Sequence, residues 1–241
     1  MDRAVPRFVA VIGLHGSAST WLFNVAREQL SAAYGVDAVH AFSTERTAEG
    51  LGDPRCIGRH VVWKLHIGDP AWDGLSHLAR PIVLVSLRDP RDALLSFMRR
   101  FEPSFERAVE VLQRDCRRAR SAVESGGLAL RYEDGFMADR TAPDRIAQRL
   151  GLDLPAEVLD AIFARYATEA VRDFAGRLAT LPPGRLAGDP AGDLYDTVTH
   201  IHAGHVGEAR AGAWRERLSP DQSRYAEAVF APFLQRFDYP R

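Results

Sequence analysis

Three short stretches carry residue types that could do chemistry. The first is Gly13-Leu14-His15-Gly16-Ser17-Ala18-Ser19-Thr20-Trp21, a small-residue turn after the apolar run FVAVI at residues 8–12. A turn leading from a strand into a helix presents free backbone N–H groups at the positive end of the helix dipole, which suits phosphate or sulfate. Ser17, Ser19 and Thr20 add hydroxyl donors, and Trp21 offers an aromatic face to a base. The Walker pattern GxxxxGK[ST] is absent, because no Lys follows a Gly here. An ordinary strand-to-helix turn therefore also fits.

The second stretch is Val61-Val62-Trp63-Lys64-Leu65-His66. Side chains alternate along a strand, so Lys64 and His66 point the same way. Both fall near the strand's C-terminal end, where open α/β sheets bind ligands. A histidine there can accept a proton from an attacking hydroxyl, and an ammonium beside it can stabilise charge on a leaving group. Lys64 is the only lysine among 31 basic residues. A compact ammonium does what a guanidinium cannot. For His66, a core-edge histidine with one hydrogen bond is the alternative.

The third stretch is Leu84-Val85-Ser86-Leu87-Arg88-Asp89-Pro90-Arg91-Asp92-Ala93-Leu94-Leu95-Ser96-Phe97. Arg88 leaves a strand just before an N-cap at Asp89 and a first helical position at Pro90. Ser96 follows about two turns into that helix. Arginine grips phosphate bidentately and stays charged; pairing of Arg88 with Asp89 or Asp92 is the alternative.

The elements that must position these groups follow from the apolar pattern. Strands are predicted at 8–12, 36–42, 61–66, 82–87 and 127–132. Helices are predicted from about residue 19, from residue 90, and over 105–125, 143–150, 155–172 and 220–236. Residues 43–59 read as a loop. Alternation of strands and helices predicts an α/β fold, a central parallel sheet flanked by helices. The whole chain, 1–241, reads as one domain. Its least regular stretch, 181–212, reads either as a lid or substrate loop or as a disordered surface loop.

With 241 residues and 46% apolar composition, the chain can bury one substantial core. Its net charge of −1 gives no basic field for nucleic acid or an anionic membrane surface. No apolar run approaches a membrane span and no signal peptide is legible, which predicts a cytoplasmic protein. Cys56 and Cys116 form no metal or redox spacing and read as reduced. The Arg, Ala and Gly bias suggests a GC-rich, bacterial source.

Together these segments resemble the sulfotransferases that use 3'-phosphoadenylyl sulfate (PAPS). SASTW at residues 17–21 is similar to the family's 5'-phosphosulfate loop, usually written KSGTTW. WKLH at 63–66 resembles the KTH segment, whose His is the catalytic base. SLRDPRDALLSF at 86–97 resembles the 3'-phosphate motif, with the same eight-residue interval from Arg to Ser. Arg131-Tyr132-Glu133-Asp134 is similar to the YED segment, whose Tyr lies near the adenine. Ala211-Gly212-Ala213-Trp214-Arg215 and Leu218-Ser219-Pro220-Asp221-Gln222 resemble the terminal GDWK…FTPEQ block, so the likeness spans residues 8–240.

The resemblance implies a P-loop-NTPase-like sulfotransferase fold. It implies transfer of a sulfo group from PAPS to a hydroxyl or amine of a small-molecule, lipid or sugar-containing acceptor. It assigns His66 as base, with Lys64 at the leaving oxygen. It puts His15, Gly16, Ser17, Ala18, Ser19, Thr20, Trp21, Arg88, Ser96, Tyr132, Arg210, Ala211 and Gly212 around the nucleotide. It requires no metal and no nucleic acid, and leaves a homodimer open. Two departures stand out. The family's loop cation falls on Gly16 and its glycine on Ala18; His15, Lys64 and Arg210 are the candidate substitutes. The usual RKG is replaced by GEAR at 207–210, where Arg210 is the candidate phosphate contact. A P-loop phosphotransferase and a catalytically impaired nucleotide-binding protein are the alternative readings. The first lacks a Walker lysine and visible Mg²⁺ ligands.

Overall fold

The computed structural model describes residues 7–189, 192–204 and 210–240. Five strands form one sheet: β1 (Phe8–Gly13), β2 (Val39–Ser43), β3 (His60–Leu65), β4 (Ile82–Leu87) and β5 (Leu128–Arg131). Their order is β2-β3-β1-β4-β5, and every pairing is parallel. Period-two alternation divides the central strand between two cores. Ala10 and Ile12 join Trp63, Leu65, Val85 and Leu87 on one face. Val9 and Val11 join Val62, Leu84 and Leu130 on the other. Both faces are covered, so these strands read as continuous apolar runs.

The helices are α1 (Ser19–Tyr34), α2 (Thr47–Leu51), α3 (Ala71–Ala79), α4 (Pro90–Phe101), α5 (Phe105–Glu124), α6 (Ala142–Leu150), α7 (Ala156–Arg165), α8 (Thr168–Gly176), α9 (Trp214–Arg217) and α10 (Pro220–Arg236). The Asp89 carboxylate accepts from the Arg91 amide at 2.9 Å, and Pro90 opens α4. Ser219 and Gln222 form a reciprocal capping box on α10. Arg91 is fully buried, ion-paired with Asp89 at 2.7 Å and Glu227 at 3.0 Å, and stacked on Trp214. Asp92 accepts from the amides of Gly212 and Trp214 at 2.6 and 3.0 Å. These bonds lock the chain's terminal block onto the start of α4.

Four expectations need correction. Residues 43–59, read as a loop, hold α2, whose first amide, Thr47 N–H, donates to the Asp69 carboxylate at 2.8 Å. The helix predicted over 155–172 is two helices, broken at Tyr166 and Ala167. The break turns Tyr166 into the core, where its hydroxyl meets Arg27 at 2.9 Å and Glu28 at 3.1 Å. The strand predicted over 36–42 begins at Val39, after an exposed turn at Val36–Ala38. The described part of 181–212 is ordered by a buried carboxylate. Asp196 binds Arg185 at 2.6 Å and Thr199 at 2.7 Å, and holds the antiparallel pair β6 (Leu186–Gly188) and β7 (Leu194–Asp196).

Candidate active site

A cavity of about 450 Å³ opens at the C-terminal edge of the sheet. The turn after β1, the end of β3, and the junction of β4 with α4 all reach it, through Gly16, Lys64 and Arg88 among others. Asp189, Ile201 and His202 line it from the irregular segment.

The turn owes its shape to residues that cannot be large. Gly16 has φ +77°, and a Cβ built there would lie 2.8 Å from Ser96 Oγ. There is no room for the cation that the resemblance puts at this position. Ala18 holds φ +64° at the N-cap of α1, a conformation glycine adopts without strain. No side chain caps α1, so its first-turn amides keep no side-chain partner. Ala18, Ser19, Thr20 and Trp21 line the cavity. Ser17 does not. Its hydroxyl donates to the Leu14 carbonyl at 2.6 Å and meets Ser86 Oγ at 2.8 Å, and its amide donates to the Leu14 carbonyl at 3.0 Å. Ser17 fixes the turn instead of offering a hydroxyl to a ligand.

Arg88 is 4% exposed and reaches across to the same turn, donating from Nη1 to the Gly16 carbonyl at 2.7 Å. Its guanidinium lies 4.3 Å over the Tyr132 ring. Ser96 abuts Gly16 from α4. Arg88, Ser96 and Tyr132 all line the cavity. Neither Asp89 nor Asp92 pairs with Arg88; Asp89 takes Arg91 and Asp92 takes two amides. Two buried donors, Arg88 Nε and Trp21 Nε1, have no partner among the described residues. Such donors are costly unless a ligand or water engages them. The donor set suits a phosphate-bearing ligand.

On the cavity floor, Lys64 Nζ lies 3.3 Å from His66 Nε2. Lys64 is 8% exposed, and burial lowers its pKa to about 8. His66 Nδ1 donates to the Gly13 carbonyl at 2.6 Å. Burial, then neighbouring His15 and Lys64, holds His66 well below the usual imidazole range. Glu45 accepts from the amides of His66, Ile67 and Gly68 at 2.8, 2.9 and 2.7 Å, fixing the chain as it leaves β3. His15 stacks on His66 with ring centroids 3.8 Å apart, and its Nδ1 lies 2.7 Å from Asp115 Oδ2.

The structure does not bring Arg210, Ala211 or Gly212 to the cavity lining. Arg210 ion-pairs with Glu216 at the surface, and Gly212 serves Asp92. Of the clustered histidines, His202 reaches the cavity and bonds Arg100, whereas His205 lies outside the described residues. Burial lowers the pKa of His200 to about 3 and of His202 to about 4. Sequence reasoning missed Arg100, Glu45 and Asp115. Arg100 and Glu45 act through partners far along the chain that no local pattern marks, whereas the helical period of α5 puts Asp115 on its buried stripe with Leu112 and Ala119.

No family model matches this chain, and no curated protein sequence does. Solved structures match over nearly its whole length. Mouse sulfotransferase SULT7A1 complexed with PAP superposes with a TM-score of 0.60 at 11% identity, over 95% of this chain and 84% of that one. Retinol dehydratase in a complex with retinol and PAP gives a TM-score of 0.60 at 15% identity, over 100% of this chain and 85% of that one. The chain has the sulfotransferase fold. The same dehydratase with androsterone and inactive cofactor PAP agrees, with a TM-score of 0.60 at 16% identity over 100% of this chain and 84% of that one. In this sulfotransferase fold the five-stranded parallel sheet ends at the cavity described above.

Proposed function

We propose that the protein transfers a sulfo group from PAPS to a hydroxyl or amine of a small-molecule, lipid or sugar-containing acceptor. One observation carries this reading. Arg88 and Ser96, from the β4–α4 junction, converge on Gly16 of the β1–α1 turn, so two anion-holding junctions share one cavity. A nucleotide with a phosphate at each end of its ribose needs that arrangement. The α1 N-terminus and the turn amides hold the 5'-phosphosulfate. Arg88 and Ser96 hold the 3'-phosphate, and Trp21 and Tyr132 lie beside the adenine.

The acceptor oxygen attacks sulfur as the bond from sulfur to the 5'-phosphate oxygen breaks. Lys64 stabilises the charge left on that oxygen. An imidazole of the floor, His66 by the resemblance, takes the acceptor's proton. Phe97, Phe101, Val171 and Ile201 give the same cavity an apolar side. Retinol and androsterone, bound in the structural neighbours, are small, largely apolar molecules that carry a hydroxyl. Among the described residues, no helix is long and apolar enough to cross a membrane.

Thermal unfolding with adenosine 3',5'-bisphosphate, and separately with ATP and Mg²⁺, tests the reading. At one hundred times Kd the bisphosphate adds about 2.7 kcal/mol. For a chain of this size that raises Tm by about 5–11 °C. Stabilisation by ATP with Mg²⁺ and none by the bisphosphate would replace the reading with a phosphotransferase. Labelled PAPS offered to a broad acceptor panel then separates an enzyme from a binder that has lost transfer.

A further inference from the structure

A bisphosphate ligand brings more negative charge into the cavity than the residues named so far can meet. A phosphate monoester carries about −1.5 to −2 at neutral pH. At the 3' position of the proposed nucleotide that charge faces Arg88 and Ser96, one cation and one neutral hydroxyl. Arg88 already gives one donor to the protein, since its Nη1 bonds the Gly16 carbonyl at 2.7 Å. Arg210, the expected second cation, is ion-paired with Glu216 at the surface and stands outside the lining.

Among the described residues, the Lys and Arg side chains that line the cavity are Lys64, Arg88, Arg99 and Arg100. Lys64 lies on the floor, 3.3 Å from His66 Nε2. Arg100 bonds Asp189 and His202, and its guanidinium lies 4.9 Å over the Phe101 ring. Arg99 differs from the other three. It is exposed, and its guanidinium makes no hydrogen bond or ion pair with any described residue. It stands three residues after Ser96 on α4, and residues three apart share a helix face with Cβ atoms about 5–6 Å apart. Ser96 in turn abuts Gly16 of the first turn. An arginine rooted one turn beyond Ser96 therefore reaches an anion held by Ser96 and Arg88. A cation in the last turn of α4 also suits the helix dipole. The dipole accounts for the charge at this position but not for a free guanidinium in the cavity lining.

We infer that Arg99 completes the 3'-phosphate site, an inference that rests on the sulfotransferase reading above. Buried Arg88 grips the phosphate from the protein side. Exposed Arg99 closes on it from the solvent side once the nucleotide is seated. Arg99 is a binding residue that sets the preference for a 3'-phosphorylated nucleotide, and it takes no part in the transfer. Its role asks for charge more than for shape, because Arg88 already supplies a planar fork.

Calorimetric titration of wild type, Arg99→Gln, Arg99→Lys and Arg210→Gln with adenosine 3',5'-bisphosphate and with adenosine 5'-phosphate tests the assignment. Arg99→Gln should weaken the bisphosphate about 5- to 30-fold at low salt and leave the monophosphate unchanged. That deficit should shrink at about 1 M salt, where exposed charges are screened. Arg99→Lys should restore most of the binding, since an ammonium still serves phosphate as a point charge. Arg210→Gln should match wild type. In phosphorus NMR of the bound bisphosphate, Arg99→Gln should move the 3' signal and not the 5' signal. Equal losses for both nucleotides, or a loss for neither, overturn the inference. So does a bisphosphate deficit that arises in Arg210→Gln and not in Arg99→Gln. Failure of the wild-type protein to bind the bisphosphate at all removes the sulfotransferase reading instead.

Discussion

Restoring the cation missing from the first loop should harm the protein. The perturbation is Gly16→Lys, with Gly16→Ala as its partner. Charge arithmetic alone says that a lysine beside a phosphosulfate tightens binding. The backbone says otherwise. At φ +77° any residue with a Cβ pays for the left-handed conformation, about 1–2 kcal/mol. The new Cβ also lies 2.8 Å from Ser96 Oγ and 2.9 Å from Ser96 Cβ, on a helix pinned by Asp92 and Arg91. Overpacking of that kind adds about 1–3 kcal/mol. The sum, about 2–5 kcal/mol, corresponds to a Tm lower by about 4–20 °C for a domain of this size. Calorimetric melting and PAP titration of both variants provide the assay. Both should melt early by similar amounts, since the cost arises at Cβ, and neither should bind PAP more tightly than wild type. A Gly16→Lys protein with unchanged Tm and tighter binding would refute the reasoning.

Arg88→Ala should weaken PAP binding about 10- to 100-fold, the loss of a charge-assisted contact worth about 1.5–3 kcal/mol. Arg88→Lys should recover little of it, because an ammonium neither forks nor stacks on Tyr132; full recovery by Lys would refute the assigned contact. Lys64 sets opposed trends with pH. Its folded pKa of about 8 lies below the ordinary lysine value of 10.5, so the proton is lost from the folded protein first. Over that interval the unfolded chain binds more protons, and stability from this group rises with pH. Turnover in the absence of saturating nucleotide should fall as pH passes about 8. Lys64→Met should therefore abolish transfer while leaving Tm equal or higher, and a clear drop in Tm would contradict the burial argument. Glu45→Ala strips one carboxylate from three amides and should cost on the order of 2 kcal/mol in thermal unfolding, with kcat reduced and PAP affinity kept.

What the sequence revealed was local and periodic. The strands lie within a few residues of their expected ends because each is an apolar run between turn signals. The cap at Asp89 and Pro90 is a two-residue signature read without any tertiary knowledge. Arg88 and Ser96 were singled out by the strand-to-helix junction and by the family resemblance, and both line the cavity. The long-range partners were not. Asp115 sits in a strongly charged helix whose other charged residues are exposed or half-buried; the helical period puts it on the buried stripe with Leu112, Cys116 and Ala119, but does not say which residue it meets. Glu45 lies in a stretch read as a loop, and its three amide partners lie more than twenty residues on. Ser17 illustrates the reverse error. Its residue type suggested a ligand, but a hydroxyl beside an open carbonyl closes a turn first. The missing loop cation was visible as a departure at Gly16, while its cause, the proximity of Ser96, exists only in three dimensions.

Arg91 ties assembly of the site to the order in which the chain is made. Its charge has no contact with water and draws its solvation from Asp89, from Glu227, from the Pro240 carbonyl and from the Trp214 ring. Those last partners lie more than a hundred residues downstream. A nascent chain can lay down all five strands and still hold the first turn of α4 open, because closing it would strand a guanidinium in the core. Contacts of such sequence separation form late and slowly. The 3'-phosphate pocket should therefore be among the last features to mature during synthesis, and it should open first when α10 is loosened.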